Sequence, residues 1–320
     1  MPIAKCSYEE YMKQIVVISG KGGTGKTVIT ASLAALFKNK VMADCDVDAA
    51  DLHLLLEPEI QHRQEFRSGA TASIDQEKCI KCGKCRDVCR FSAVKVWSSD
   101  KQEAILGEKD ADCKFEIDSV SCEGCAFCHF ACPSGAIEMV ENISGEYFVS
   151  DTRFGSMVHA KLGVAEENSG KLVSLVRNKA KKLAEEQKSD WIIIDGSPGI
   201  GCPVIASLSG ADCAIVVTEP TLSGLHDASR VIEVAKHFGI LTKVIINKYD
   251  LNLEMTSKIE SFCQDKKISL LGKISFDKAV VNAMVDGKTI IEYEDGKTKN
   301  EIIKIWENIK KEISEKDAKS

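Results

Sequence analysis

The stretch "QIVVISGKGGTGKT", residues 14 to 27, decides the first unit of the fold. A short β-rich apolar run over 14–20 leads into a glycine-rich loop, and "TVITASLAALFKN" (27–39) then places apolar residues at helical spacing. The order is strand, loop, helix. Gly20, Lys21, Gly22, Gly23, Thr24, Gly25, Lys26 and Thr27 fit G-x-x-x-x-G-K-T in that setting. Glycines let backbone N–H groups turn inward around phosphate oxygens, and the helix N-terminus adds positive potential. Lys26 is placed to reach terminal phosphates, and the Thr27 hydroxyl to ligate Mg²⁺.

Outward from this unit the chain keeps α/β punctuation. "KVMADCD" (40–46), "WIIIDG" (191–196), "CAIVVTE" (213–219) and "TKVIINK" (242–248) are short strands, apolar on both faces. Such strands belong in a parallel sheet buried between helices, for which "HDASRVIEVAKHF" (226–238) and "LEMTSKIESFCQDKK" (253–267) are candidates. The last segment carries an Ile302, Ile305, Trp306, Ile309 and Ile313 stripe and reads as a helix docked on the sheet, because its polar face mixes acids with lysines. Between 70 and 145 cysteine, glycine and charged residues dominate, which marks an inserted domain entered through the polar stretch "PEIQHRQEFRSG" (58–69). The expected division is therefore 1–69, 70–145 and 146–320.

Inside the insert, Cys79-x2-Cys82-x2-Cys85-x3-Cys89 is repeated as Cys122-x2-Cys125-x2-Cys128-x3-Cys132, followed by Pro133. Two copies of this spacing suit two 4Fe-4S clusters. Zinc sites more often combine two ligand pairs and frequently include histidine, so zinc is the lesser alternative. "FSAVKV" and "PSGAIEMV" supply a short strand after each run, and the polar stretch 98–118 suggests an added hairpin. Cys113 falls outside both runs and reads as an ordinary thiol, while Cys6, Cys45, Cys213 and Cys263 read as small core residues.

The 320 residues, 44% hydrophobic and 28% charged, suit a folded globular chain. A net charge of -6 gives no nucleic-acid footprint, and no run is long enough to span a membrane. Fourteen cysteines without a secretory signal point to a cytoplasmic protein with metal or redox chemistry.

With its second loop lysine, Lys21, the phosphate loop resembles the deviant Walker A of the MinD/ParA/nitrogenase-iron-protein ATPases. That resemblance implies a lysine reaching across a dimer interface, hence a nucleotide-dependent homodimer or pairing with a homologous ATPase. "DCDVDAADL" (44–52) resembles the family's first switch, with Asp46 at the position that orients or deprotonates the attacking water; solvated loop acids are the alternative for Asp44, Asp48 and Asp51. "IIIDGSPG" (192–199) resembles the Walker B strand and second switch, with Asp195 serving Mg²⁺ and Gly199 sensing the γ-phosphate. Asn247 in "NKYD" matches the adenine-contacting position. Cys202 sits seven residues after Asp195, as does a bridging cluster ligand in the nitrogenase iron protein, but no second such cysteine is present; a packed thiol is the alternative.

The cysteine runs resemble two-cluster ferredoxins, in which the fourth cysteine of each run serves the other cluster. By that resemblance one cluster takes Cys79, Cys82, Cys85 and Cys132, and the other takes Cys122, Cys125, Cys128 and Cys89. The whole chain is similar to MinD-superfamily ATPases with an inserted ferredoxin domain, related also to Mrp/Nbp35 carriers. The expected protein binds and hydrolyses ATP with Mg²⁺ and holds two 4Fe-4S clusters. Its expected role is ATP-gated electron transfer to a redox partner; the alternatives are iron-sulfur or metallocofactor assembly for a client protein, and MinD-like positioning.

Overall fold

The computed structural model describes residues 12–97, 113–163 and 169–317. The chain divides into two compact units, the second of which runs from Glu65 to Gly145 and includes Gly163. In chain order the first unit opens with β1 (Lys13–Ser19), α1 (Lys26–Leu36), β2 (Lys40–Asp44) and α2 (Leu52–Leu56). β3 (Glu59–Ile74) carries the chain into the second unit, which contains α3 (Lys84–Val88), β4 (Val94–Trp97), β5 (Lys114–Ile117) and α4 (Phe127–Ala131). β6 (Ile137–Thr152) returns and turns through Arg153 and Phe154 into β7 (Gly155–Leu162). Then follow α5 (Ser169–Gln187), β8 (Trp191–Pro198), α6 (Cys202–Leu208), β9 (Cys213–Thr218), α7 (Leu222–His237) and β10 (Leu241–Asn247). The chain ends with α8 (Leu253–Asp265), β11 (Ser269–Ile274), α9 (Lys278–Val285), α10 (Ile290–Tyr293) and α11 (Lys297–Asp317).

Nine strands form one sheet in the order β11-β10-β9-β1-β8-β2-β7-β6-β3, and the pairs from β11 through β7 are parallel. This is the mostly parallel α/β sheet that the doubly apolar strands lead one to expect. β1 is the middle one of the seven parallel strands, with Ile15 opposite Ile193 on one side and Cys213 on the other. Parallel strands release their C-terminal ends at one edge, where open α/β sheets hold ligands. Here that edge gathers Ser19, Asp44, Asp195, Thr218 and Asn247, and Asp44 is the register partner of Asp195.

Packing fixes these strands in place. On one side of the sheet, Ile29 and Leu33 of α1 share a core with Ile15, Val17, Ile193 and Ile245. Ile302, Ile305, Ile309 and Ile313 of α11 are buried in the same core, with Trp306 half-buried beside them, so this helix does dock on the sheet. Cys45, Cys213 and Cys263 are buried, as core residues should be; Cys6 lies outside the described residues.

The polar entrance to the insert is itself a strand. The stretch 58–69, taken as a polar entrance to the insert, lies within the sixteen-residue strand β3 from Glu59 onward. Most of its side chains are exposed and it ends the sheet order, so no buried face imposed the apolar alternation that signals a strand. In the second unit β4 and β5 pair antiparallel, Val94 opposite Ile117 and Val96 opposite Phe115. The hairpin expected over 98–118 is thus flanked by a paired ribbon, while residues 98–112 themselves lie outside the described residues. The unit's core is small: Ala72, Cys85, Val94, Val96, Phe115 and Ile137.

A Cβ added at Gly272 would stand 2.6 Å from Cγ1 of Ile305, so the close fit of α11 on β11 requires glycine there. Gly272→Ala should destabilise the fold by about 1–3 kcal/mol through overpacking, and Ile305→Ala by about 2–5 kcal/mol through a cavity. Denaturant unfolding should show the double variant less destabilised than the sum of the two, since each change relieves the other.

Candidate functional site

The phosphate loop leaves the end of β1 with Gly23 and Gly25 in left-handed conformations, φ 79° and 87°. Gly25 also faces Asn247, whose Nδ2 would lie 2.3 Å from an added Cβ; the amide donates instead to the Thr24 carbonyl at 2.8 Å. This bond ties the end of β10 to the loop. Around Gly22 and Gly23 a Cβ would meet nothing within 4 Å, so the mouth of the loop is open. Thr24 is 2% exposed, and its hydroxyl is buried with no hydrogen-bond partner among the described residues.

Lys26 is the charge centre. Its Nζ lies 2.8 Å from Oδ1 of Asp195 and 3.3 Å from Oδ2 of Asp46. Thr27 donates to Oδ2 of Asp195 at 2.8 Å, and Thr30 donates to Oδ1 at 2.9 Å. Asp44 is fully buried and accepts from the backbone N–H of Asp46 at 3.1 Å and of Leu52 at 3.3 Å. Two ties fix the ends of β2 and β8 together: Cys45 N–H donates to the Asp195 carbonyl, and Ser197 Oγ donates to the Cys45 carbonyl.

Three carboxylates therefore face one ammonium. Burial, reinforced by the neighbouring Asp195, pushes the Asp44 carboxyl well above the usual range. Burial also raises Asp46, against the opposing pull of Lys26. Burial disfavours the Lys26 ammonium, yet Asp195 and Asp46 outweigh it and hold its pKa above normal. A hydroxyl and carboxylate oxygens of this kind form a hard-oxygen donor set with surplus negative charge, which suits Mg²⁺. The open loop mouth, the orphaned Thr24 hydroxyl and this donor set together fit a magnesium nucleotide.

Lys21 points elsewhere. Its Nζ lies 2.8 Å from Oε1 of Glu219 and 3.3 Å from Ser223 Oγ, and Lys248 pairs with the other Glu219 oxygen at 3.3 Å. Gly199, at φ 92°, donates its N–H to the Ser19 carbonyl at 2.9 Å. Of the acids left open as loop residues, Asp48 and Asp51 are exposed, but Asp44 is wholly buried in the site. Thr30 and Glu219 escaped the sequence reading; Thr30 lies one helical turn after Lys26, and that spacing was the available signal.

In the second unit two cavities collect the cysteines. One, about 320 Å³ including its open mouth, is lined by Cys79, Cys82, Cys85 and Cys132. The other, about 350 Å³, is lined by Cys89, Cys122, Cys125 and Cys128. Each cavity thus draws three cysteines from one run and one from the other. Every described cysteine is a free thiol. Four thiols spread around a cavity suit a cubane, which is ligated at its corners. Cys132 Sγ also accepts the Ala136 N–H at 3.3 Å, a bond that favours thiolate. Cys113 packs against the unit's core and lines neither cavity. Cys202, at the start of α6, is exposed, with its Cβ 3.1 Å from where a Cβ on Gly170 would stand.

Residues 15–290 match the CobQ/CobB/MinD/ParA nucleotide-binding domain. The chain belongs to this family of P-loop ATPases. It is 34% identical over 248 residues to the uncharacterized protein MJ0578 of Methanocaldococcus jannaschii, covering 77% of this chain and 81% of that one. Its fold is that of the Pyrococcus horikoshii septum site-determining protein MinD, solved with Mg-ADP, at TM-score 0.55 and 19% identity over 94% of this chain and 96% of that one. A shorter match, 34% identical over 64 residues, joins 20% of this chain to 70% of an uncharacterized Methanocaldococcus jannaschii ferredoxin. No helix among the described residues is long and apolar enough to cross a membrane.

Removing the ammonium from this site strands buried carboxylates, which costs about 3–5 kcal/mol. Lys26→Met should therefore lower stability by that order in denaturant unfolding. It should also abolish the thermal stabilisation by Mg-ADP, which at a hundredfold excess over Kd is worth about 2.7 kcal/mol to the unsubstituted chain.

Proposed function

We propose that this family member couples ATP hydrolysis in its α/β unit to electron transfer through two 4Fe-4S clusters held in an inserted ferredoxin-like domain, residues 70–145. The observation that carries the proposal is the pair of four-cysteine cavities, each assembled from both runs, in a chain that also builds a complete phosphate loop. The match to a ferredoxin supports it further.

In the α/β unit the loop amides and Lys26 would bind the phosphates, while Thr27 and Asp195 would hold Mg²⁺ and its water. Asp46, made more basic by burial, would orient or deprotonate the water that attacks the γ-phosphate. Gly199 would release or hold the second switch through its N–H. Lys21 would leave Glu219 for a phosphate across a dimer interface, in a homodimer or with a homologous ATPase. Bound at the eight cysteines, the clusters would supply one-electron chemistry to a redox partner. The chain's own contribution there would be the cysteine ligands, the Ala136 N–H donated to Cys132, the Ser134 hydroxyl 3.6 Å from the same sulfur, and a partly apolar lining.

A second proposal, a carrier or assembly ATPase for an iron-sulfur client, draws support from one feature. Each cavity has one exposed cysteine, Cys82 in the first and Cys125 in the second, which leaves each site an open corner.

Anaerobically purified chain should contain about eight irons and eight sulfides, two cubanes' worth, and stoichiometric zinc without sulfide would sink the cluster assignment. In a redox titration followed by electron paramagnetic resonance, Mg-ATP should shift a cluster potential. Cluster delivery to an apoprotein without any such shift would favour the carrier instead. Size measurement with a non-hydrolysable ATP analogue should give a dimer, and a persistent monomer that hydrolyses ATP would remove the role given to Lys21.

A further inference from the structure

The internal repeat lets the two cavities be compared position by position. Cys79 to Cys85 matches Cys122 to Cys128, and Cys89 to Ala93 matches Cys132 to Ala136. The backbone obeys the match: Gly83 and Ala126, which start α3 and α4, have φ 76° and 61°, and Ser92 and Gly135 have φ 54° and 63°. The exposed cysteine is also matched, Cys82 to Cys125.

The side chains that line the cavities do not obey it. Lys84 lines the first cavity where Phe127 lines the second; Ser134 lines the first where Phe91 lines the second; and Ile80 faces Glu123 across the same comparison. Ser134 Oγ lies 3.6 Å from Cys132 Sγ, a hydroxyl contact that a phenyl at position 91 cannot reproduce. The surroundings follow the same bias. Residues 78–90 carry Lys78, Lys81, Lys84, Arg86 and Arg90 against Asp87, with Lys78 paired to Asp75 at 2.9 Å and Arg90 next to Cys89 of the second cavity, whereas 121–133 carry Glu123 and no Lys or Arg.

A cluster gains negative charge on reduction, so nearby cations and hydrogen bonds to its sulfurs raise its potential, while a carboxylate and an apolar wall lower it. The first cavity is bordered by the exposed Lys84 and by Ser134, with one phenyl ring, Phe115; the second is bordered by the exposed Glu123 and by two phenyl rings, Phe91 and Phe127. We propose that the two cluster sites are unequal by construction, with the Cys79/Cys82/Cys85/Cys132 site at the higher potential. This rests on the cluster-binding proposal above. An electron from a one-electron reductant would then be held preferentially at that site, which would be reduced by one while the donor is oxidised by one, with no bond made or broken.

The test is a dithionite titration of the anaerobic full-length protein, followed by electron paramagnetic resonance, in parallel with iron and sulfide analysis. Two waves are expected, separated by at least a tenfold preference, which for a one-electron couple is about 59 mV. Lys84→Gln should move only the higher wave, downward, and Glu123→Gln only the lower wave, upward. A single wave from protein with full iron and sulfide overturns the inference and leaves cluster binding intact. So does Lys84→Gln acting on the lower wave. If Lys84→Gln loses iron, Glu123→Gln decides alone, and its moving the higher wave counts against the assignment. Absence of sulfide in the unsubstituted protein removes the inference and the cluster proposal together.

Discussion

The α/β unit depends on one electrostatic arrangement: a single buried ammonium, Lys26, held against Asp195 and Asp46, with Asp44 buried behind them. Burying an ion is expensive unless partners replace its water, and here three acids share one base. The excess negative charge cannot be relieved by solvent, because Asp44 and Asp195 are fully buried. It is relieved by raised carboxyl pKa values in the protein alone, or by a divalent cation. A site built this way is biased toward a ligand that brings positive metal to the carboxylates and negative phosphate to the lysine. Magnesium nucleotide meets both demands at once.

The sheet makes that arrangement possible, and also accommodates the cysteine unit. Asp44 and Asp195 meet because β2 and β8 are parallel neighbours whose register pairs them. β2 has β7 as its other parallel neighbour, with Met42 opposite Met157 and Ala43 opposite Val158. Parallel neighbours require a crossover connection, normally a helix. Here the crossover is the whole excursion through α2, β3, the second unit and β6. Its two ends are already fixed side by side in the sheet, so the length between them costs little further closure entropy, which grows only logarithmically. The same excursion starts from the loop that carries Asp46, which gives any movement of that loop a covalent route along the chain.

Much of this was legible in the residues. The apolar strands, the glycine spacing, and the threonine after Lys26 all follow from local rules, because backbone conformation and strand burial leave direct marks on composition. What stayed hidden depends on the third dimension. Asp44 reads as another loop acid, yet it is buried because its strand end is covered from both sides. Glu219 joins Lys21 and Lys248 from three distant segments. β3 escaped notice because an exposed edge strand imposes no alternation. The hydrogen bond of Asn247 to the Thr24 carbonyl was hidden too, since a side chain's partner is set by what the fold brings near.

The cysteine cavities show the same division between repeated backbone and individual chemistry. Because each cavity takes its fourth cysteine from the other run, neither half of the repeat builds a four-cysteine cavity by itself. A side chain in the first run and another in the second therefore act on the same cavity, as Lys84 and Ser134 do. Divergence between the two halves of the sequence is consequently expressed as divergence between sites rather than between halves. The repeat preserves the turns around each cavity, while the lining residues differ between the two. Backbone geometry specifies two like cavities, and a handful of side chains gives them different linings.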